Sequence, residues 1–270
     1  MSRKPRFFRL MSWGEVRRVI DSADVVLHVL DARDPVSTFS RRVAEIAREQ
    51  GKPMILLLNK SDLVPREVAE AWKKRFSREG YTCVYASATR RQGTLILRRT
   101  IKRVAPHLPV TVAVVGFPKT GKSSIINALK GRHSAPTSPY PGSPGYTRGF
   151  QFIRVDRDIL LIDTPGVIPI EGDQLERVVR GTPVELLDDP VGVASMLVKR
   201  VLERNPEAIK KAYGIESKDP DEILSIIAAR HGWLYKKTGE PLLEEAARKV
   251  IRDFHDGLIP YFVDPKEPPG

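Results

Sequence analysis

The sequence predicts an α/β fold: a doubly wound, mostly parallel sheet in the first part of the chain and a smaller all-helical region after it. Three observations predict it. Val25–Leu30 and Met54–Leu58 are almost wholly apolar, as strands buried on both faces are. Such segments alternate with helical periods, the βα order of a parallel sheet. Beyond about Pro169 the strand patterns stop and only helical periods continue.

A short basic helix is expected from Trp13 to Ile20, before the strand Val25–Leu30 and the stretch Asp31-Ala-Arg-Asp-Pro35. A helix over about Phe39–Glu49 stops at Gly51, the residue type that ends helices in the left-handed conformation. Met54–Leu58 runs straight into Asn59-Lys-Ser-Asp62. A helix over Arg66–Glu79, closed by Gly80, leads to a third strand, Thr82–Ala86, and then to Ser87-Ala-Thr89. Arg90–Val104 holds Arg90, Arg91, Arg98, Arg99, Lys102 and Arg103 and no acid, with Leu95, Leu97 and Ile101 along an apolar side. It is expected as a helix with a basic outer face, for which a solvated surface and an RNA contact are both open readings.

Pro106 and Pro109 precede the next strand, at Val112. Gly131–Gly149 reads as a long Pro, Ser, Gly and Tyr loop, of a length that compact domains usually keep for function, and it closes on Gly145-Tyr-Thr-Arg148. A hairpin, Phe150–Val155 with Ile159–Ile162, turns at Asp156-Arg-Asp158 and ends in Asp163-Thr-Pro-Gly166. Helices follow over Asp173–Arg180, Pro190–Arg204, Pro206–Tyr213, Pro220–His231 and Leu242–His255, several of them started by Pro near an acid. In the second, Ala194, Leu197, Val198, Val201 and Leu202 share a face opposite Lys199, Arg200 and Arg204. The expected division is 1–170 and 171–270, with a loosely ordered Pro-rich tail after Val263.

Gly116-Phe-Pro-Lys-Thr-Gly-Lys-Ser123 is the G-x-x-x-x-G-K-S pattern of a P-loop, set between an apolar strand and an amphipathic helix. Glycines let backbone N–H groups turn inward around phosphate oxygens, and the helix aims its positive dipole end at them. Gly116, Phe117, Pro118, Lys119, Thr120, Gly121, Lys122, Ser123 and Ser124 are therefore the candidate phosphate-binding residues. Lys122 is expected at the β- and γ-phosphates and Ser123 on Mg²⁺. The base is read from Asn59-Lys-Ser-Asp62. A carboxylate just after a buried strand, at Asp62, accepts two hydrogen bonds from guanine N1–H and its 2-amino group, and adenine offers neither. Asn59 is expected to tie the base site to the phosphate loop, the Lys60 stem to cover the ring, the Ala88 N–H to meet O6, and Ser87 to hold that turn. Asp163 is expected to hold Mg²⁺ through water and the Gly166 N–H to sense the γ-phosphate, while Thr147 closes onto both. The expected ligands are GTP or GDP and Mg²⁺.

With 45 Lys and Arg against 33 Asp and Glu, net charge +12 and pI about 9.8, the chain suits a polyanionic partner, nucleic acid before membrane. The single cysteine, Cys83, excludes an internal disulfide and sits in an apolar run. The first ten residues have no apolar stretch long enough for a signal peptide, and no run of about 18 apolar residues occurs, so a cytoplasmic location without a membrane span is expected; oligomeric state is open, with a monomer as the default. The five histidines show no metal-ligand spacing, and no zinc is expected.

These motifs match the guanine-specific P-loop GTPases, except in order: Asn59-Lys-Ser-Asp62 and Ser87-Ala-Thr89 precede the P-loop instead of following it. Moving the chain break leaves a parallel-sheet site intact. The chain thus resembles the circularly permuted GTPases, in which Asp31-Ala-Arg-Asp-Pro35 is also typical. Asp189-Pro-Val-Gly192, Ile227-Ala-Ala-Arg-His-Gly232 and Ala246-Ala-Arg-Lys-Val-Ile-Arg-Asp-Phe254 resemble the YlqF/RbgA branch. The resemblance implies a ribosome-assembly GTPase acting on the large subunit, with the helical region touching ribosomal RNA. Val167 stands where Ras-like proteins place the glutamine that orients water, which implies slow turnover unless a partner completes the site. Lys119 stands where many relatives have an asparagine that helps hold potassium; its ammonium taking that charge's place and a side chain pointing into solvent are both open readings. The region before Trp13 lacks the histidine that the bacterial branch tends to carry there. Two other readings stay open: a nucleotide-gated RNA-binding protein with negligible hydrolysis, and a GTPase of the small subunit or of a tRNA-related process.

Overall fold

In the computed structural model, residues 10–130, 151–163 and 168–265 are described, the side chains of Gln151 and Asp163 excepted. The described chain divides into two units, one holding residues up to Glu171 together with Asp264 and Pro265, the other Gly172–Val263. The last boundary differs from the expectation, which left residues 264 and 265 in the helical part.

The first unit is built on six strands: β1 (Val25–Asp31), β2 (Met54–Asn59), β3 (Thr82–Tyr85), β4 (Val110–Val115), β5 (Gln151–Arg154) and β6 (Ile159–Asp163), in the spatial order β3-β2-β1-β4-β6-β5. All neighbours run parallel except β5, which pairs antiparallel with β6 at the edge. Every residue of β1 is buried, because alternate side chains enter cores on opposite faces of the sheet. Val25, Leu27 and Val29 join one cluster with α4 (Thr94–Val104) and α5 (Lys122–Lys130). Val26 joins another with α1 (Trp13–Asp21) and α2 (Arg41–Glu49).

The helix starts follow local chemistry. Ser12 and Glu15 form a reciprocal capping box on α1. α2 begins at Arg41 rather than Phe39, because Ser40 takes the cap position and accepts from the Val43 N–H; Glu171 then accepts from both the Ser40 hydroxyl and the Arg41 N–H. Between β2 and β3 lies α3 (Arg66–Arg78). α4 begins at Thr94, not Arg90, because a paired bridge between Ser87 and Gln92 turns residues 87–92 into a loop. Leu97 and Ile101 of α4 are buried, whereas Leu95 is 68% exposed and forms no part of the apolar side expected of it. Part of the basic face is neutralised: Arg98 and Lys102 face Asp156 and Asp158 in the β5–β6 turn. Cys83 is buried, which pushes its thiol up to about 12.

His28 faces the α2 and α3 side from the middle of β1, its ring 5.5 Å from that of Phe39. It is wholly buried, and neither ring nitrogen has a hydrogen-bond partner among the described residues. Burial first, and the Lys122 charge second, depress its pKa to about 3. Because the folded value lies below the unfolded one, stability is fully present above pH 6.5 and falls as pH drops from there towards 3. His28→Leu is expected to flatten that acid limb in urea titrations run at stepped pH; a limb of unchanged slope would remove His28 as its source.

The second unit comprises α6 (Gln174–Gly181), a 3₁₀ turn at Val184–Leu186, α7 (Pro190–Arg204), α8 (Ala208–Tyr213), α9 (Pro220–Arg230) and α10 (Leu243–Asp256). Proline occupies the first turn of α7 and α9 after capping aspartates, Asp189 and Asp219. Ala194, Leu197, Val198 and Val201 enter its core with residues of the other helices. Arg200 is not simply part of a solvated face, since it pairs with Asp173 and Glu176 of the α6 start. Glu176 also holds the buried Arg180 at 2.6 Å. Among the described residues no helix is long and apolar enough to cross a membrane.

Candidate functional site

In the first unit the strand order reverses between β1 and β4: β2 and β3 extend to one side, β6 and β5 to the other. Ligands of open parallel sheets bind at such a switch point, beyond the carboxyl ends of the strands. The P-loop follows β4, Asp31-Ala-Arg-Asp-Pro35 follows β1, and Asn59 ends β2 beside Asp31 in register.

Asn59 joins three segments that are far apart in the chain. Its Nδ2 donates to the Thr120 carbonyl of the P-loop at 2.9 Å, and its Oδ1 accepts from the Ala88 N–H at 3.2 Å. The Ser87 hydroxyl braces the same turn, accepting from the Arg90 N–H and lying 3.1 Å from Thr89 Oγ1. The Ala88 N–H thus faces Asn59, not outward as expected for an O6 contact, and has to be shared or redirected to reach a base.

The P-loop is fixed from inside. Thr120, fully buried, donates its hydroxyl to the Phe117 carbonyl, and Phe117 is itself buried in the core. Lys122 Nζ lies over the loop, 2.8 Å from the Gly116 carbonyl and 3.1 Å from that of Phe117. The buried Pro118 and the half-buried Lys119 complete the loop, with Lys119 in the left-handed region at φ 64°. Ser123 and Ser124 begin α5 with exposed side chains, and the Ser123 hydroxyl has no hydrogen-bond partner among the described residues. An exposed hydroxyl at a helix start fits an oxygen-preferring cation such as Mg²⁺.

Two glycines are required for different reasons. A Cβ on Gly116 would lie 2.5 Å from the Val29 carbonyl oxygen, so the loop packs against β1 without room for a side chain. Gly121 has φ +91°, and a Cβ there would collide with Asn59 Nδ2. Gly121→Ala is therefore expected to break the Asn59 bridge as well as strain the backbone. Nucleotide affinity should fall at least tenfold in titrations with a fluorescent guanine nucleotide, a loss equivalent to about 1.4 kcal/mol. Affinity matching the native chain would show the bridge to be dispensable.

One part of the site was not foreseen. Asp31 is fully buried and receives Arg33 on both oxygens, Nε at 3.0 Å and Nη2 at 2.8 Å, while Lys60 Nζ lies 3.3 Å from Oδ2. Thr38 fixes the strand end by accepting the Asp31 N–H. Lys60 itself is in the left-handed conformation, φ 62°. Its side chain is thereby drawn back across the end of β1, with its ammonium tethered to Asp31. Asp62 sits in a 3₁₀ turn at Ser61–Leu63, and Arg90 Nε approaches it only to 3.9 Å. Thr147, Gly166 and Val167 lie outside the described residues; Asp163 ends β6, but its side chain is not described.

Two stretches of the chain match GTPase families separately, the later one running on from the first unit into the second. Residues 111–228 match the model of the 50S ribosome-binding GTPases, and residues 13–107 match that of the elongation factor Tu GTP-binding domain. The fold and its motifs define a P-loop protein of the GTPase class. The chain is similar to the circularly permuted GTPases, YlqF among them. Its similarity to the GNP-bound YlqF of Thermotoga maritima has a TM-score of 0.67 at 25% identity, over 94% of this chain and 98% of that one. It is 38% identical, over 92% of its length, to an uncharacterized GTP-binding protein of Methanocaldococcus jannaschii. It is likewise 38% identical, over 96%, to nucleolar GTP-binding protein 2 of Saccharomyces cerevisiae. The chain spans 65% of the archaeal relative's length and 54% of the yeast one's.

Proposed function

We propose that this chain binds GTP across the carboxyl end of its sheet and hydrolyses it to GDP and phosphate as a switch in ribosome assembly, with the large subunit as partner. The observation that carries this reading is the Asn59 bridge, which joins the phosphate loop at Thr120 to the base-binding turn at Ala88. Asp62 reads the base, with Lys60 against the ring; Ser87 and Ala88 line its edge. The loop from Gly116 to Ser124 wraps the phosphates, with Lys122 leaving the Gly116 and Phe117 carbonyls for the β- and γ-oxygens. Ser123, Thr147 and Asp163 hold Mg²⁺, which neutralises phosphate charge when bound. Gly166 senses the γ-phosphate.

The name of the matching family, 50S ribosome-binding GTPase, and the nucleolar relative support the ribosomal partner. Net charge +12 supports contact with RNA, which we assign to the helical unit. Val167 follows Asp163-Thr-Pro-Gly166 directly and offers no group to orient water, so turnover of the isolated chain is slow. The same residue favours the alternative of a nucleotide-gated RNA-binding protein with negligible hydrolysis. GTP turnover at saturating Mg²⁺, alone and with purified small or large ribosomal subunits, separates the readings. Stimulation by the large subunit alone supports the switch. Tight, selective GTP binding without stimulation by either supports the gated RNA-binding protein. With Lys119 supplying a fixed positive charge beside the phosphates, turnover is expected to be equal in potassium and sodium salts, and a potassium requirement would remove that role.

A further inference from the structure

The connection between α9 and α10 is an ordered projection rather than a plain loop. Tyr235 N–H donates to the Glu240 carbonyl and Gly239 N–H to the Tyr235 carbonyl, both at 2.8 Å; Leu242 N–H donates to the Trp233 carbonyl at the base, also at 2.8 Å. Leu234 and Pro241 pair across it as an isolated antiparallel bridge. Trp233 roots this hairpin by packing against the helical core, and His231 stacks on its ring at 4.5 Å and 25°.

Its outer part sets exposed apolar side chains directly beside exposed lysines. Tyr235 is 54% exposed and Leu234 42% exposed, and the Tyr235 ring has no aromatic or cationic partner among the described residues. Lys236 and Lys237 follow at once, both exposed and neither in an ion pair among the described residues. An exposed ring on a backbone already fixed by hydrogen bonds gives a stacking face at little ordering cost. Two adjacent uncommitted ammonium groups supply the charge that a phosphate backbone needs. Unpaired bases stack on such rings, whereas bases inside a duplex offer no free face.

We infer that the hairpin of residues 233–242 is a binding site for single-stranded RNA: Tyr235 stacks on an unpaired base, and Lys236 and Lys237 hold the flanking phosphates. This rests on the assignment of RNA contact to the helical unit and narrows it to one element and one form of RNA. A protein partner is disfavoured by the two lysines, which would be desolvated without a counter-charge.

The test uses the full chain and a labelled mixed-sequence single-stranded RNA, with the matching duplex as comparison, in anisotropy titrations at several KCl concentrations. Tyr235→Ala should weaken single-strand binding about tenfold without changing its salt slope, and Tyr235→Phe should restore it. The double change Lys236→Ala with Lys237→Ala should reduce the slope of log K against log salt by about 1.4, two phosphate contacts at about 0.7 each. Affinity for a fluorescent GTP analogue should be native in all of them, because every change lies outside the nucleotide site. Single-strand binding unaltered by either substitution, or a preference for the duplex, overturns the hairpin assignment alone. A native chain that binds neither RNA overturns it together with the RNA-contact reading, while the GTP reading stands or falls on the nucleotide titration.

Discussion

Asp31→Asn is expected to lower the stability of the first unit by about 3–5 kcal/mol, the usual cost of removing one partner from a buried ion pair. The substitution keeps shape and removes charge. Arg33, 1% exposed, and Lys60 then lose the carboxylate that they share. For a unit of this size the thermal midpoint should fall by roughly 10 °C. Guanine-nucleotide affinity should fall as well, because the Lys60 ammonium is the far end of the side chain proposed to lie against the base. Asp31→Leu combined with Arg33→Leu separates the two effects: it removes both charges of the buried pair and should recover much of the stability while Lys60 still lacks the Asp31 carboxylate. A loss under about 1 kcal/mol for Asp31→Asn would mean that the pair is solvated enough to be replaced by water, contrary to its burial.

That cluster marks the limit of what residue order discloses. The strands were legible because a parallel sheet covered on both faces needs unbroken apolar runs, and Met54–Leu58 and Val112–Val115 are such runs. The P-loop was legible because its spacing is local, and its placement after β4 follows from strand and helix periods on either side. Asp31 and Lys60 are 29 positions apart and meet only because β1 and β2 pair with Asp31 opposite Asn59. No periodicity states that register. The start of α4 was misplaced for a similar reason: Arg90–Gln92 suit a helix locally, but Ser87 and Gln92 exchange backbone hydrogen bonds across the turn. Leu95 has the spacing of an apolar face and still lies outside the core, since the sheet surface beneath α4 is filled by Leu97 and Ile101. The Asn59 bridge lies between these cases. The residue type was legible, but not that its carbonyl would take the Ala88 N–H expected at the base.

Asp62→Asn is expected to change which base the site accepts rather than to abolish binding. Asp62 belongs to a short turn outside the core, and its one ionic neighbour among the described residues is the exposed Arg90, whose Nε stays 3.9 Å away, a weak contact. Among the described residues its carboxylate has no closer partner, and it can accept both guanine donors, N1–H and the 2-amino group. Hydrogen bonds to a charged acceptor contribute about 1.5–3 kcal/mol each. Asp62→Ala, which loses both, should weaken GTP binding by on the order of 10²–10⁴-fold. The asparagine amide replaces one acceptor by a donor, which faces the guanine 2-amino group donor to donor. Xanthine carries a carbonyl oxygen at that position, so the same amide can pair with it. Competition of XTP and GTP for a fluorescent guanine nucleotide should therefore show preference for GTP in the native chain and for XTP in Asp62→Asn, with the thermal midpoint of the nucleotide-free protein unchanged. Equal loss of both nucleotides would place the base somewhere other than against Asp62, and the Asn59 bridge would then serve the P-loop alone.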